Sequence, residues 1–124
     1  MISAHIKPLK PGGLLLIMIP NLRGIYYPLL KYFAPELIDI HNITIMQKKA
    51  FTQLFAGKKV KPLFLGYYGV LNFGMLQARG GKIRNLILKG LRVGQVFFNP
   101  ILRHCHVLEN GLTSPYLLFI GRKK

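Results

Sequence analysis

The sequence predicts an α/β fold in which helices flank a small sheet, and three segments indicate its strands. Residues 14–19 form an apolar run without alternation, which is typical of a strand covered on both faces. Residues 62–68 are rich in aromatic residues and other β-formers, and residues 116–120 follow a turn that contains glycine and proline. Segments with helical patterns separate these three strands, so we expect one α/β unit, or part of one.

A tight turn precedes the first predicted strand. Residues 9–13 read Leu-Lys-Pro-Gly-Gly, in which proline fixes φ and the glycines permit a positive φ. Before this turn, Ile2 and Ile6 are spaced to share one face of a helix that Pro8 ends. We therefore expect the chain to enter the sheet from the tail of a helix whose beginning is missing.

The other connections are also expected to contain helices. Residues 20–42 form a long connection with a short helical pattern, after which Thr44 is placed to cap a helix that runs to about residue 55. Residues 82–98 are mainly apolar with interspersed cations and glycines. This last segment predicts a helical hairpin, or two helices broken at an internal glycine.

Charge is the unusual feature of the composition. Lys and Arg number 18 against three acidic residues, which gives a formal net charge of +15. Such an excess is typical of proteins that bind nucleic acid or anionic lipid. The alternative interpretation is that an acidic partner segment, in the same protein or another, balances the charge.

Several features bear on the compartment of the protein. The single cysteine, Cys105, excludes an intramolecular disulfide framework and suits a reducing cytoplasm. The first ten residues lack the basic-then-apolar order of a signal peptide. The apolar run at residues 14–20 is far shorter than the roughly 18–20 residues that span a bilayer. We expect a cytoplasmic protein without a transmembrane segment.

The order of these features resembles the second half of class I S-adenosylmethionine-dependent methyltransferases. The similarity rests on the turn at 9–13, on the strand that ends in Ile-Pro-Asn at 19–21, and on Ser-Pro-Tyr at 114–116 before the last strand. Residues 41–46 also resemble small-molecule members of the family. In this family a seven-stranded, mostly parallel sheet ends in an antiparallel hairpin.

The resemblance implies a Rossmann-like sheet of which this chain supplies the fifth to seventh strands. Residues 14–19 and 62–68 should then be parallel, with residues 116–120 between them and antiparallel to both. The family's glycine-rich loop and ribose-binding acid do not occur in the sequence. Residues 1–124 are therefore expected to be a partial domain that lacks the cofactor-binding half and is inactive alone.

The same resemblance implies the partners of the chain. S-adenosylmethionine is the cofactor expected for the intact protein, and a small molecule is the expected methyl acceptor. The missing N-terminal half, or a second copy of the chain, should cover the exposed edge of the sheet. The alternative class is a small, basic, non-enzymatic protein that binds RNA or an anionic surface.

Two candidate site residues concern acid–base chemistry and orientation. His41 is the candidate general base, because an imidazole exchanges protons near neutral pH and Asp39 could orient it. Asn21 follows the first strand, where ligands of open α/β sheets bind, and could orient substrate. The structural alternatives are helix capping near His41 and an Asx turn at Asn21.

Three further side chains are candidates for substrate binding. They are Asn42, beside the candidate base, and Tyr67 and Tyr68, at the end of the second strand. Tyrosine combines apolar area with a polar tip, which suits the wall of an acceptor pocket. Because adjacent strand residues face opposite ways, one of the two tyrosines is expected in the core.

Two other groups of residues are considered as a metal site and as a surface for binding. His104, Cys105 and His106 provide too few ligands for a metal site, and we expect none. Cations within residues 82–92 alternate with apolar residues. That stripe indicates either a solvated lid over a substrate cleft or a helix that lies on an anionic membrane surface.

Overall fold

The computed structural model describes residues 2–124, in which three strands and five α-helices occur. The strands are β1 (Leu14–Pro20), β2 (Val60–Tyr68) and β3 (Tyr116–Lys123). The helices are α1 (Ile2–Ile6), α2 (Tyr26–Phe33), α3 (Glu36–Ile40), α4 (Lys48–Gln53) and α5 (Lys82–Leu102). Short 3₁₀ helices lie at Ile43–Met46, Phe73–Met75 and His106–Leu108.

The three strands form one sheet in the order β1-β3-β2. The central strand β3 is antiparallel to both neighbours, so β1 and β2 run in the same direction. This is the arrangement that the sequence predicts, and the α/β class is confirmed. The central strand extends to Lys123, beyond the predicted end at residue 120, because residues 121–123 pair with the beginnings of both neighbours.

The core lies against one face of the sheet. Leu117 and Phe119 of β3 point to this face, and Phe119 stacks on Phe55 with ring centroids 3.5 Å apart. Ile2 and Ile6 of α1 are buried in the same cluster, as their spacing predicts. The remaining members come from all parts of the chain and include Leu15, Leu30, Phe33, Phe51, Val60, Leu76 and Leu88.

The opposite face of β1 is open. Leu14, Leu16 and Met18 are 58%, 63% and 49% exposed, whereas Leu15 is buried. The prediction that this strand is covered on both faces is therefore wrong for the described residues. Successive strand residues point to opposite faces, and the described helices cover only one of them.

The two outer edges of the sheet differ. The edge of β2 carries Lys61 and Pro62, and its register is irregular between Pro62 and Phe64. A charge, a proline and a bulge are the usual means of preventing edge-to-edge pairing. The edge of β1 has no charge, proline or bulge between residues 14 and 19, and its outer side has no neighbouring strand among residues 2–124.

The helical predictions need two corrections. Residues 82–102 form a single helix through Gly90 and Gly94, so the predicted hairpin is wrong. Each internal glycine costs about 1 kcal/mol, but packing offsets this cost: Leu88 is buried and the Arg92 Nη2 donates to the carbonyl of Leu76 at 2.6 Å. Thr44 does not cap α4, because it lies inside a 3₁₀ helix that is capped by Asn42.

Candidate functional site

Two cavities open at the edge of the sheet where β1 and β2 end and β3 begins. The β2 cavity has a volume of about 300 Å³, and its walls come from residues 68–72, from α5 and from the chain around Glu109 and Tyr116. The β1 cavity, of about 480 Å³, is lined by Arg23, Gly24, Tyr27, Pro28, Ile38 and Ile43. Ligands of open α/β sheets bind at the carboxyl ends of parallel strands, so this edge is the candidate site.

Amide side chains give the β2 cavity its polar character. Asn72 donates from Nδ2 to the hydroxyl oxygen of Tyr116 at 2.6 Å, and Asn99 donates from Nδ2 to the Leu71 carbonyl at 3.2 Å. The Oδ1 atom of Asn99 is buried and accepts no hydrogen bond from the protein. A buried acceptor without a donor is costly. A ligand with an N–H or O–H group would remove that cost.

The backbone of the β2 cavity is strained at one point. Leu71 has a φ of 38°, in the left-handed region that residues with a side chain rarely adopt. Its carbonyl is held by Asn99, and the preceding turn is held by Glu109, whose Oε1 accepts from the Gly69 N–H at 3.3 Å. Strain maintained by surrounding contacts is typical of binding sites.

A buried tyrosine lies beside the β2 cavity and bonds to Asn72 in its wall. Tyr26 is fully buried; its hydroxyl accepts from the Asn72 N–H at 2.8 Å and donates to the Thr113 carbonyl at 3.2 Å. Burial raises the pKa of Tyr26 to about 12; the hydrogen bond from Asn72 opposes this shift and the neighbouring Tyr116 adds to it. The hydroxyl therefore stays neutral at physiological pH and fixes the loop after β2 against the turn before β3.

We expect Tyr26→Phe to change the alkaline stability of the protein. In the unfolded chain a tyrosine has a pKa near 10, so the folded state gains stability from the raised pKa below about pH 10 and loses it as pH rises towards 12. This loss is on the order of 2–3 kcal/mol. Tyr26→Phe should lack this fall in stability at alkaline pH. At neutral pH it should be less stable by about 1–3 kcal/mol, because the Asn72 N–H and the Thr113 carbonyl lose their hydrogen-bond partner.

Urea unfolding between pH 8 and pH 11 measures this difference. Tyr27→Phe is the matched control, because Tyr27 is 42% exposed and should show the same pH dependence as the unsubstituted protein. Parallel stability curves for the unsubstituted protein and Tyr26→Phe would contradict the role given to the hydroxyl.

Asn21 has a structural role at the end of β1. Its Nδ2 donates to the carbonyls of Ser114 and Gly111 at 2.8 and 3.2 Å, and its Oδ1 accepts from the Arg23 N–H at 3.3 Å. The side chain is fully buried. It thus ties the start of the β1–α2 connection to the turn before β3, and contact with a substrate stays a prediction.

His41 lies after α3, with its ring held by the backbone. Its Nδ1 is 2.7 Å from the carbonyl oxygen of Leu37, so Nδ1 is the donor, and in the neutral imidazole the lone pair lies on Nε2. The orienting group is this carbonyl, whereas the sequence suggested Asp39. Asn42 caps the following 3₁₀ helix by accepting from the Ile45 N–H at 3.3 Å. Ile38 and Ile43, on either side of these two residues, line the β1 cavity.

The two tyrosines at the end of β2 face opposite ways, as predicted. Tyr67 packs against the core cluster, and its ring lies so close to Gly111 that a Cβ there would be 2.9 Å from the hydroxyl oxygen. Tyr68 is half exposed and lines the β2 cavity. Of the five predicted site residues, Tyr68 alone lines one of the two cavities, and the five do not meet in one cavity.

Sequence reasoning missed most of the polar wall of the β2 cavity, which includes Asn72, Gln95, Asn99, Arg103 and Glu109. One signal was available. Gln95 and Asn99 are spaced by four in α5, and Arg103 follows at the same spacing as the C-cap, which places the three on one side of the helix. Such a polar stripe indicates a helix side that borders a polar cavity.

The described residues contain no cluster of metal ligands, and comparisons with known proteins found no match. Among residues 2–124, no three His, Cys, Asp or Glu side chains come together as metal ligands. The sequence matches no protein-family model, and comparisons with curated proteins and with solved structures found no match.

Proposed function

We propose that the chain is the C-terminal portion of a small-molecule methyltransferase that uses S-adenosylmethionine. The observation that carries the proposal is the strand order β1-β3-β2, with an antiparallel strand between two parallel ones, after a Leu-Lys-Pro-Gly-Gly turn. The methyltransferase resemblance predicts this arrangement for its last three strands. The alternative class, a small basic binding protein, predicts no particular strand order.

Two unpaired surfaces support the proposal. The outer edge of β1 is unpaired among the described residues, and the apolar side chains Leu14, Leu16 and Met18 project from its open face. In a larger parallel sheet the fifth strand would pair along this edge with the fourth, and helices would cover the open face. A larger sheet would thus cover the unpaired edge and the apolar face of β1, which are unfavourable when they are exposed to water.

The two glycine pairs of the chain do not have the position of a nucleotide-binding loop. Gly12 and Gly13 precede β1 at the opposite edge of the sheet, and Gly80 and Gly81 lie well after the end of β2. Neither pair makes the direct turn from a strand into a helix that brings backbone N–H groups to a nucleotide. The proposal therefore assigns to this chain the binding of the methyl acceptor.

In this proposal the chain would bind and orient the methyl acceptor and would remove its proton. The β1 cavity has apolar walls from Tyr27, Ile38 and Ile43 and a cation at Arg23, which suits a small, partly apolar acceptor. His41, which lies in the chain between the lining residues Ile38 and Ile43, would accept the proton that the acceptor loses. Proximity and orientation in such a cavity are the main contributions a protein makes to this displacement.

The first test is the affinity of the full chain for S-adenosylhomocysteine. We expect titration calorimetry to detect no binding in the micromolar range, because the polar contacts to the nucleotide are not among these residues. A micromolar dissociation constant, which corresponds to about 8 kcal/mol, would contradict the proposal that the cofactor-binding residues lie outside this chain.

The second test is the DNA immediately upstream of Met1. An in-frame segment that encodes a strand, a glycine-rich loop and a helix would support the proposal, and the extended protein should then bind S-adenosylhomocysteine with micromolar affinity. A ribosome-binding site close to Met1, without such a segment, would contradict it. The binding measurement on the extended protein is the decisive result.

A further inference from the structure

The outward side of α5 is apolar along its whole length. Leu88 is the buried residue of this helix, and the neighbouring side chains of Arg92 and Asn99 are hydrogen-bonded to the loop after β2. The side chains on the other side of the helix are between 57% and 73% exposed. They are Ile83, Leu86, Val93, Phe97 and Ile101.

Their spacing makes these side chains one continuous surface. The residue numbers increase by three, seven, four and four, which keeps them on one face of a helix with about 3.6 residues per turn. Phe98, which is 61% exposed, widens this surface at its C-terminal half. A contiguous exposed apolar patch of this kind marks an interaction site.

Two lysines border the apolar side. Lys82 and Lys89 are exposed and lie seven residues apart, which places them along one flank of the helix. The helix contains no acidic residue. Its other two cations are engaged elsewhere: Arg84 lies over the Tyr32 ring at 5.2 Å, and Arg92 bonds to the carbonyl of Leu76.

We propose that α5 binds the surface of a bilayer that contains anionic lipid. The apolar side enters the boundary between headgroups and acyl chains, and Lys82 and Lys89 contact lipid phosphates. No helix among residues 2–124 has both the length and the apolar character to cross a bilayer. The helix therefore lies in the plane of the interface, and this inference does not depend on the methyltransferase proposal.

Charge and chemistry favour this occupant over two others. Nucleic acid would contact the cations but would leave the aliphatic and Phe side chains of the outward side in water. A second copy of the chain packed on this side of α5 would bring the lysines of one copy close to those of the other. An anionic bilayer satisfies both the apolar surface and the charged flank.

Vesicle flotation with the full chain tests the proposal. We expect the protein to float with vesicles of phosphatidylcholine and phosphatidylglycerol, and to bind vesicles of phosphatidylcholine alone at least about tenfold more weakly, since each cation near an anionic surface contributes about 1 kcal/mol. Flotation separates vesicle-bound protein from aggregates, which sediment. Equal binding to both kinds of vesicle, or binding to neither, would overturn the proposal.

Variants of α5 define the contact surface. The double variant Leu86→Ser, Phe97→Ser should weaken vesicle binding by at least about tenfold, because two large apolar side chains no longer enter the interface. Lys82→Gln, Lys89→Gln should weaken it by a similar factor. Both pairs are exposed, so unchanged far-ultraviolet circular dichroism is expected.

The matched control lies on the open face of the sheet. Leu16→Ser removes an apolar side chain that is 63% exposed but remote in sequence from α5, and it should leave vesicle binding unchanged. Loss of binding in this control would show that the sheet face, and not α5, contacts lipid, and would overturn the proposal. Binding to an RNA oligonucleotide that depends on the two lysines, without any vesicle binding, would assign the surface to nucleic acid instead.

Discussion

The full chain is expected to self-associate at an ionic strength of about 0.15 M, through the outer edge of β1. This strand presents unpaired backbone groups beside Leu14, Leu16 and Met18, all of them about half exposed or more. An apolar edge without a charge or a bulge promotes pairing with another strand. The net charge of +15 opposes association, but salt screens exposed charges over about 8 Å, so close pairing of strands should prevail.

Leu16→Lys should convert the associated species to a monomer. The substitution places a charge on the exposed face of the edge strand, where it opposes pairing without disturbing the core. Light scattering coupled to size-exclusion chromatography measures the mass directly. Leu63→Lys is the control on the other edge, which already carries Lys61 and Pro62, and it should leave the mass of the associated species unchanged.

Two results would contradict this prediction. One is a dispersed monomer of the unsubstituted chain that unfolds cooperatively, which would show that β1 needs no partner. The other is association that persists in Leu16→Lys but disappears in the α5 double variant Leu86→Ser, Phe97→Ser. That second result would assign self-association to the outward side of the helix.

The substitution Phe119→Ala should have the largest effect on stability. Phe119 is buried in the central strand and stacks on Phe55, with an angle of 8° between the rings. Its removal leaves a cavity beneath the middle of the sheet, and such substitutions lower the free energy of unfolding by about 3–5 kcal/mol. For a small domain this is a large share of the total stability.

Urea unfolding in the Leu16→Lys background avoids the effect of association on the measurement. Leu14→Ala is the control, because this residue is the first of β1 and is 58% exposed; its effect should stay within about 0.5 kcal/mol. A loss of less than about 1 kcal/mol for Phe119→Ala would mean that this side of the sheet is not the core of the folded protein.

The positions of the strands could be predicted because their signals are local. Apolar runs, the turn at 9–13 and the turn before Tyr116 each need only a few neighbouring residues. Coverage of β1 could not be predicted in the same way, since an apolar run is the same whether one face or both are covered. The single helix α5 was also missed, because distant contacts of Leu88 and Arg92 offset the cost of its glycines.

The positions of Asn21 and Tyr68 at the ends of β1 and β2 could be predicted, whereas most of the polar lining of the β2 cavity could not. The rule that ligands bind at the carboxyl ends of strands makes this edge the candidate site. Asn99 and Glu109 could not be assigned to that edge from sequence, because they reach it from α5 and from the chain before β3. Their roles depend on hydrogen bonds to Leu71 and Gly69, which are at least 28 residues away in the chain.

The sequence by itself determined the α/β class, the three strands, the turn before the first of them and the excess of positive charge. These follow from conformational preferences and composition, which act over short stretches of chain. The tertiary structure alone decided which face of β1 is open, which tyrosine lines a cavity and which side of α5 faces outward. Those features depend on which distant residues pack together, because burial is a property of the assembled core and not of any one segment.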